Sequence, residues 1–248
     1  MKLKITTLVV LLALGSFSYA QTVDKIIDTY FENIGGADNF RALEGISMKA
    51  SVNAQGMDIP LEMVQLKGGK QLVKFELQGK KLTQLAFDGE VAWGHNFMTM
   101  QAEKQDSIAT ENLKRLSGDF PDPFLDYKDK GYKAELVGDE TVEGVECFKI
   151  KLTKKPTIVD DKEEEDVSFY FFDKENFVPI VMQSEIKTGQ MKGMVSQSTF
   201  SDYEEVDGLY FPFSMMQGLK DQPGQTIKIE SITLNPEVDK LEFVFPEE

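Results

Sequence analysis

The spacing of apolar residues changes once along this chain, and the change limits what the chain can fold into. Residues 22–34 carry one apolar stripe at helical spacing, with Thr22 placed to cap its start and Gly35-Gly36 placed to end it. From residue 46 onward apolar and polar residues alternate, which is typical of half-buried strands. We therefore predict one amphipathic helix followed by a large sheet. The stripe consists of Val23, Ile26, Ile27, Tyr30, Phe31 and Ile34.

Short alternating segments separated by glycine turns, such as Asp88-Gly89, predict an antiparallel meander of about 11 strands. A short second helix is expected from Asp38, as its cap, to Leu43. In the last strand, at 225–234, the apolar phase slips between Ile227/Ile229 and Ile232/Leu234, which indicates a bulge.

The meander is interrupted at residues 105–132. Ile108, Leu113 and Leu116 indicate a short helix, and Pro121 and Pro123 then exclude a regular helix or strand interior. We interpret this stretch as a cover that crosses the sheet. The predicted fold class is mainly β with helices (α+β): a curved antiparallel sheet with helices packed on its concave side.

Residues 1–20 are typical of a secretory signal, because two lysines precede a short apolar run and a small-residue exit. Cleavage is expected near Ala20/Gln21, which predicts export and leaves 21–248 as a single domain. The apolar run is shorter than the roughly 20 residues that a spanning helix needs. Stable membrane insertion is therefore not expected.

Composition excludes several function classes. The formal charge is -15 over 248 residues, which opposes nucleic-acid binding because phosphates would be repelled. A single Cys and a single His leave no disulfide framework and no Cys/His zinc cluster, and they make a Ser/His or Cys/His catalytic arrangement improbable. No cofactor and no metal are expected. Cys147 lies in an apolar strand pattern, so we expect it to pack as a small hydrophobe.

The acidic run at 160–166 has two readings. It could bind calcium, but it lacks the spaced Asp/Asn/Gly order of a calcium loop. A solvated hairpin tip is the favoured interpretation.

The order of features resembles the periplasmic outer-membrane lipoprotein-sorting proteins, the LolA/LolB-like superfamily. The hairpin at 85–93 with its Asp-Gly turn, the hairpin at 136–152 and the segments 200–212 and 234–246 look like that family's elements in sequence order. The likeness covers most of residues 21–248. It implies a half-barrel closed by helices, no enzymatic activity, and an apolar cavity for lipoprotein acyl chains.

Applied to this sequence, the resemblance and the strand alternation give a set of candidate cavity residues and three candidate lid residues, and no catalytic residue. In the best-known carriers an Arg holds the lid by hydrogen bonds, and Arg41 is the nearest candidate here, with Arg115 as the only other Arg. The lid candidates are Leu113, Phe120 and Phe124. The cavity candidates are Ile27, Tyr30, Phe31, Met48, Val52, Leu61, Met63, Val73, Phe75, Leu77, Phe87, Trp93, Phe169, Phe171, Met182, Met194, Phe211 and Phe213.

The implied function is a periplasmic carrier of lipoproteins or other lipids toward the outer membrane, acting as a monomer between an inner-membrane donor and an outer-membrane acceptor. The 11 Met and 18 Phe suit a ligand without fixed shape, although an ordinary Phe- and Met-rich core has the same composition. Three alternatives stay open: a lipid or envelope-stress sensor of the same fold acting through a protein partner, an acid/base hydrolase using carboxylates such as Asp139, Glu140 and Glu143, and a structural protein with a filled barrel.

Overall fold

A computed structural model describes residues 21–54 and 56–247 and, of Ala54, only the backbone. The predicted signal at 1–20 lies outside the described residues. The helices are α1 (Val23–Asn33), α2 (Ala37–Arg41) and α3 (Ser107–Leu116). The strands are β1 (Gly45–Ala54), β2 (Met57–Leu66), β3 (Gln71–Leu77), β4 (Lys80–Phe87), β5 (Ala92–His95), β6 (Ala102–Lys104), β7 (Lys133–Val142), β8 (Val145–Thr153), β9 (Thr157–Val159), β10 (Lys162–Glu164), β11 (Val167–Asp173), β12 (Pro179–Glu185), β13 (Val195–Val206), β14 (Leu209–Leu219) and β15 (Gln225–Leu234).

The predicted first helix is confirmed with its cap. The Thr22 hydroxyl accepts a hydrogen bond from the Lys25 N–H at 3.2 Å, and the buried residues of α1 are Ile26, Ile27, Tyr30 and Phe31. The second helix begins at Ala37, one residue before the predicted cap Asp38. Gly36 is the residue at its N-cap, and no side chain forms a capping hydrogen bond.

Thirteen strands form one open antiparallel sheet in the order β6-β5-β4-β3-β2-β1-β15-β14-β13-β12-β11-β8-β7. The half-barrel fold is confirmed, and the estimate of about 11 strands is too low. Two of the thirteen, β5 and β6, have only four and three residues, too few for an alternation to be recognised. The predicted bulge is also confirmed, since Lys49 pairs with Ser231 while Ala50 pairs with Ile229, which leaves Glu230 unpaired in the register.

The two faces of the sheet bury different clusters. The concave face holds the main core, in which Ile26, Tyr30 and Phe31 of α1 pack with Ile150 and Phe172 of the sheet. On the convex face of β2–β5, the C-terminal segment covers a smaller cluster built around Val64, Leu72, Trp93 and Phe243. A third cluster on the convex face joins Cys147, Phe171 and Val181.

The segment between β6 and β7 connects the two edges of the sheet. α3 contacts β5 near one edge of the sheet. It also contacts the β9–β10 hairpin, which lies in sequence between β8 and β11, two strands that pair directly with each other. The Asn112 side chain donates to the Ile158 carbonyl at 2.9 Å and accepts from the Ile158 N–H at 2.7 Å, so it imitates one step of strand pairing. The chain then crosses the concave side at 120–132, as the two prolines predicted.

The turn between β2 and β3 supports this crossing segment. A Cβ at Gly69 would lie 2.3 Å from the Ser117 Cβ, whereas a Cβ at its neighbour Gly68 would meet nothing within 4 Å. Both glycines have left-handed φ angles, +88° and +87° respectively, so an alanine is strained to the same degree at either position.

We predict that Gly69→Ala lowers the free energy of unfolding by about 1–3 kcal/mol more than Gly68→Ala, because only the first forces the crossing segment off the turn. Urea denaturation of both variants measures the difference. Equal losses would show that the contact with Ser117 does not contribute, since the backbone strain is matched.

Candidate functional site

The concave face of β1–β4 and β14–β15 carries a continuous floor of large apolar side chains that are only half-buried. In one row across the strands, Met48 pairs with Ile232 and Met63, and Met63 pairs with Val73. In the next row, Leu61 pairs with Ala50 and Phe75. We call this set the apolar floor; its half-buried members are Met48, Leu61, Met63, Val73, Phe75, Phe213, Met215 and Ile227.

Fourteen of the eighteen candidate cavity residues lie on the concave side. Three of them belong to α1, and the strand residues among them share the concave face through the alternation and pairing of the strands. These residues are Ile27, Tyr30, Phe31, Met48, Val52, Leu61, Met63, Val73, Phe75, Leu77, Phe87, Met182, Phe211 and Phe213.

Four candidates are placed elsewhere and are corrected here. Trp93 lies on the convex face, where its indole N–H donates to the Phe243 carbonyl at 2.9 Å. Phe169 and Phe171 lie in the convex cluster with Cys147. Met194 precedes β13 in a loop and is 40% exposed.

The aromatic side chains that β11 does place on the concave face are Tyr170 and Phe172, which the sequence analysis missed. The Phe124 ring packs edge-on against both, at centroid distances of 4.8 and 5.3 Å. Four consecutive aromatic residues at 169–172 contain no alternation to tell the faces apart. Only the register of β11 with β12, which places Tyr170 opposite Met182, tells the two faces apart.

The expected hollow beneath the first helix is largely filled by the protein's own side chains. Ile27, Tyr30 and Phe31 are buried in the main core, and the Tyr30 ring meets the Phe172 ring edge-on at 5.5 Å. A cavity of about 230 Å³ remains beneath α1 against β11–β14. It adjoins an open pocket of about 660 Å³ with which it shares Ile34, Phe200, Tyr203 and Tyr210.

The three lid candidates differ in burial. Phe124 is buried in the main core, and Phe120 packs against that core while half-exposed. Leu113 lies on α3, which has no buried residue, so it is half-exposed beside the sheet edge. The segment 120–132, which we call the cover, therefore packs more tightly on the sheet than α3 does.

Ion pairs at the surface tie the cover to the N-terminal helices. The Arg41 Nε and Nη2 donate to the Asp126 carboxylate at 2.9 and 2.7 Å, which is the kind of contact expected of an arginine that holds a lid. The Asp24 carboxylate accepts from the Tyr127 hydroxyl at 2.6 Å and pairs with Lys128 at 2.7 Å. Arg41 lowers the pKa of Asp126, and the hydrogen bonds from Lys128 and Tyr127 lower the pKa of Asp24.

A further contact between α1 and the cover is partly buried. The Tyr30 hydroxyl donates to the Asp122 carboxylate at 2.8 Å, and the Phe124 N–H donates to the other carboxylate oxygen at 2.7 Å. Desolvation outweighs these hydrogen bonds and raises the pKa of Asp122, and it also raises the pKa of Tyr30 well above its ordinary value.

The side chains considered for chemistry are separated from one another and paired with lysines. Glu140 pairs with Lys149 at 2.8 Å on the convex face, and Asp139, which lies opposite Phe148 in the register, pairs with Lys174 at 2.8 Å on the other face of β7. Within the described part of the chain, no group of three or more His, Cys, Asp or Glu residues is arranged to hold a metal ion. Burial raises the pKa of the Cys147 thiol to about 11, which disfavours the thiolate that a nucleophile needs.

The acidic run is a small hairpin of its own, formed by β9 and β10 with exposed Asp160 and Asp161 at the turn. Glu163 accepts from Arg115 Nη1 at 2.8 Å, so Arg115 joins α3 to this hairpin. The second arginine thus secures α3 rather than the cover.

Comparison with known proteins identifies the fold. No protein-family model and no curated protein sequence matches the chain. Among solved structures, a DUF1329 family protein from Desulfovibrio piger aligns with a TM-score of 0.56 and 15% identity over 91% of this chain and 98% of its own. A LolA superfamily protein from Nitrosomonas europaea aligns with a TM-score of 0.53 and 14% identity over 92% and 99%. At these identities the likeness establishes the fold, and the sequence resemblance is confirmed at that level.

None of the helices among residues 21–247 combines the length and the hydrophobicity needed to cross a bilayer.

We predict that a double-mutant cycle of Arg41→Ala and Asp126→Ala gives a coupling energy of about 0.5–1 kcal/mol, the upper part of the range for exposed pairs, because the pair is bidentate. Hydrogen exchange locates the effect. The amide of Tyr132, which donates to the Tyr127 carbonyl within the cover, should exchange faster in either single variant. The exposed Lys67–Glu44 pair is the matched control. If its disruption accelerates the same amide, the effect does not belong to the Arg41 contact.

We also predict that acid loosens the cover. Asp24 and Asp126 have folded-state pKa values below their unfolded ones, so their stabilisation is complete above about pH 4 and is lost as the pH falls through the folded values. Binding of the dye ANS should rise over that window before global unfolding. The Asp126→Asn variant should bind more dye at pH 7 and change less on acidification. An identical titration in wild type and variant contradicts this assignment.

Proposed function

We propose that this protein of LolA-superfamily fold is a carrier that binds the acyl chains of lipoproteins or other lipids on the apolar floor and transfers them toward the outer membrane. The supporting observation is the juxtaposition of that half-buried floor with a cover tied down by exposed ion pairs. Large apolar side chains on an internal face that stay half-buried leave surface for an apolar ligand to bury.

The energetics of exchange favour reversible carriage. Burying an acyl chain of about 16 carbons is worth on the order of 12 kcal/mol. The contacts that α1 and the cover make with the sheet are of the same chemical kind, through residues such as Ile27, Phe31 and Phe124. A ligand that displaces part of them replaces apolar contacts with apolar contacts, so uptake and release need little net free energy and no ATP.

The cover supplies the movable part in this proposal. Its exposed ion pairs contribute about 0–1 kcal/mol each, so most of the cost of opening is the loss of the apolar contacts of Phe124, Leu125 and Tyr127, which a bound acyl chain replaces. The Met side chains of the floor, Met48, Met63 and Met215, adapt to ligands of different shape because they are unbranched and flexible.

The setting of the carrier follows from the same proposal. We place it in the periplasm as a monomer, after removal of residues 1–20, between an inner-membrane donor and an outer-membrane acceptor. The acidic exterior keeps a protein with an apolar floor soluble and disfavours adsorption to anionic lipid surfaces.

We predict that Met63→Glu or Phe75→Glu weakens binding of a dansylated fatty acid at least tenfold, because each places a charge on the floor where an acyl chain would have to desolvate it. Fluorescence titration of the folded variants gives the affinities, and circular dichroism confirms that they fold.

Lys49→Glu is the matched control. Lys49 lies on β1 between Met48 and Ala50 and is exposed on the convex face. The Lys49→Glu variant changes the net charge by more than either test variant does. It should bind the probe as the wild type does. Unchanged affinity in folded Met63→Glu and Phe75→Glu would reject the floor as the binding surface, and an equal loss in Lys49→Glu would assign the effect to net charge.

A further inference from the structure

The cavity beneath α1 has an unusual lining. The rings of Tyr30 and Phe124 come from α1 and the cover, and those of Tyr170, Tyr203 and Phe211 come from the sheet. Tyr210, which is 38% exposed, also lines the cavity, so the space communicates with solvent. The single acidic side chain in the lining is that of Asp122.

Asp122 differs from the neighbouring carboxylates in its partners. Lys154 neutralises both Asp119 and Asp166, at 2.8 and 3.3 Å. Among the described residues, the Asp122 carboxylate forms no ion pair and accepts only from the Tyr30 hydroxyl and the Phe124 N–H. Lys130 donates to the main-chain carbonyl of Asp122 at 2.9 Å instead of to its carboxylate.

A desolvated carboxylate that forms no ion pair is costly, and the nearby Lys130 charge lowers the pKa of Asp122 by less than burial raises it. Aromatic faces attract positive charge through their quadrupoles. An anion would be repelled by Asp122. A hydrated metal ion would find one carboxylate and mainly aromatic carbon, which is a poor ligand set for hard cations. An organic ammonium group satisfies both features at once, because its methyl groups contact the rings while its charge compensates the carboxylate.

We propose that this cavity is a binding site for an organic ammonium group, of which the quaternary trimethylammonium of choline is the best fit. The volume of about 230 Å³ leaves room for a small organic cation. The proposal goes beyond acyl-chain carriage, since the cavity lies beneath α1 against β11–β14 while the floor lies on β1–β4 and β14–β15.

The test is a ligand-observed NMR titration of the protein comprising residues 21–248 with choline and with 3,3-dimethylbutan-1-ol, the neutral isostere in which carbon replaces nitrogen. Choline should bind with a dissociation constant at or below about 1 mM, and the isostere at least about tenfold more weakly. Soluble dihexanoylphosphatidylcholine forms the second arm and distinguishes a lipid headgroup from a free solute as the source of the ammonium.

Two variants and two controls complete the experiment. Asp122→Asn removes the charge and keeps one acceptor oxygen, for the Phe124 N–H, while its NH2 group can donate to the Tyr30 hydroxyl. Tyr170→Leu removes an aromatic face. Each variant should weaken ammonium binding about tenfold. Asp129→Asn removes an exposed acidic charge from the same segment, and Phe97→Leu removes an exposed aromatic ring that does not line the cavity; both should bind choline as wild type does.

The outcomes decide whether the cavity binds an ammonium group, independently of the proposed carrier function. Binding of choline, or of the choline lipid alone, with loss in Asp122→Asn supports the proposal and identifies the source. Equal affinity for choline and its isostere overturns it in favour of a merely apolar cavity, and so does the absence of binding in both arms. Fatty-acid binding in the same samples reports separately on the carrier function, so the failure of one proposal is distinguishable from the failure of the other.

Discussion

The packing of one amphipathic helix into a bent sheet is the interaction on which the rest of this structure depends. A fully buried Ile or Phe contributes about 1.5–3 kcal/mol, and α1 inserts Ile26, Ile27 and Phe31 into the concave face. An exposed ion pair contributes at most about 1 kcal/mol. The apolar stripe therefore decides where the helix lies, and the buried side chains of Phe124, Leu125 and Tyr127 place the cover by the same kind of packing. Contacts such as Arg41–Asp126 add less to the position of either element.

A sheet covered by helices on one side must still protect the other, and the chain does so with its C-terminal end. Phe243 is fully buried against Leu72 and Trp93, and the indole of Trp93 donates to the Phe243 carbonyl. The C-terminal segment thus covers part of the convex face. The concave face is covered over part of its width by a helix, α1, and a loop, the cover. The half-buried floor is the portion that neither arrangement covers completely, and it faces the same side as α1.

Periodicity predicted the parts of the fold in which one face is clearly more apolar than the other. The stripe of α1, the alternation in β1 and the bulge opposite Ala50 could all be predicted from the sequence. In each case the spacing of the apolar residues fits only one arrangement that places them all on the buried face. The face of β11 could not, because residues 169–172 are aromatic on both sides and both sides are in fact buried. Trp93 was misplaced for a related reason: a large aromatic residue signals burial but not which of two cores buries it. The partners of Asp122 and Arg41 depend on where an irregular, proline-containing segment crosses the sheet, which no local pattern encodes.

Asp122 lies where α1, the cover and the remaining cavity meet. An apolar residue there would pack α1 and the cover together without a desolvation cost, whereas a carboxylate gains hydrogen bonds from Tyr30 and Phe124 and still has its pKa raised by burial. The contact is therefore weaker than the surrounding packing could make it, and it lies where the helix, the cover and the remaining cavity meet. A charged group at that junction lowers the cost of separating the cover from the helix, because water or a cation can solvate it once the two part.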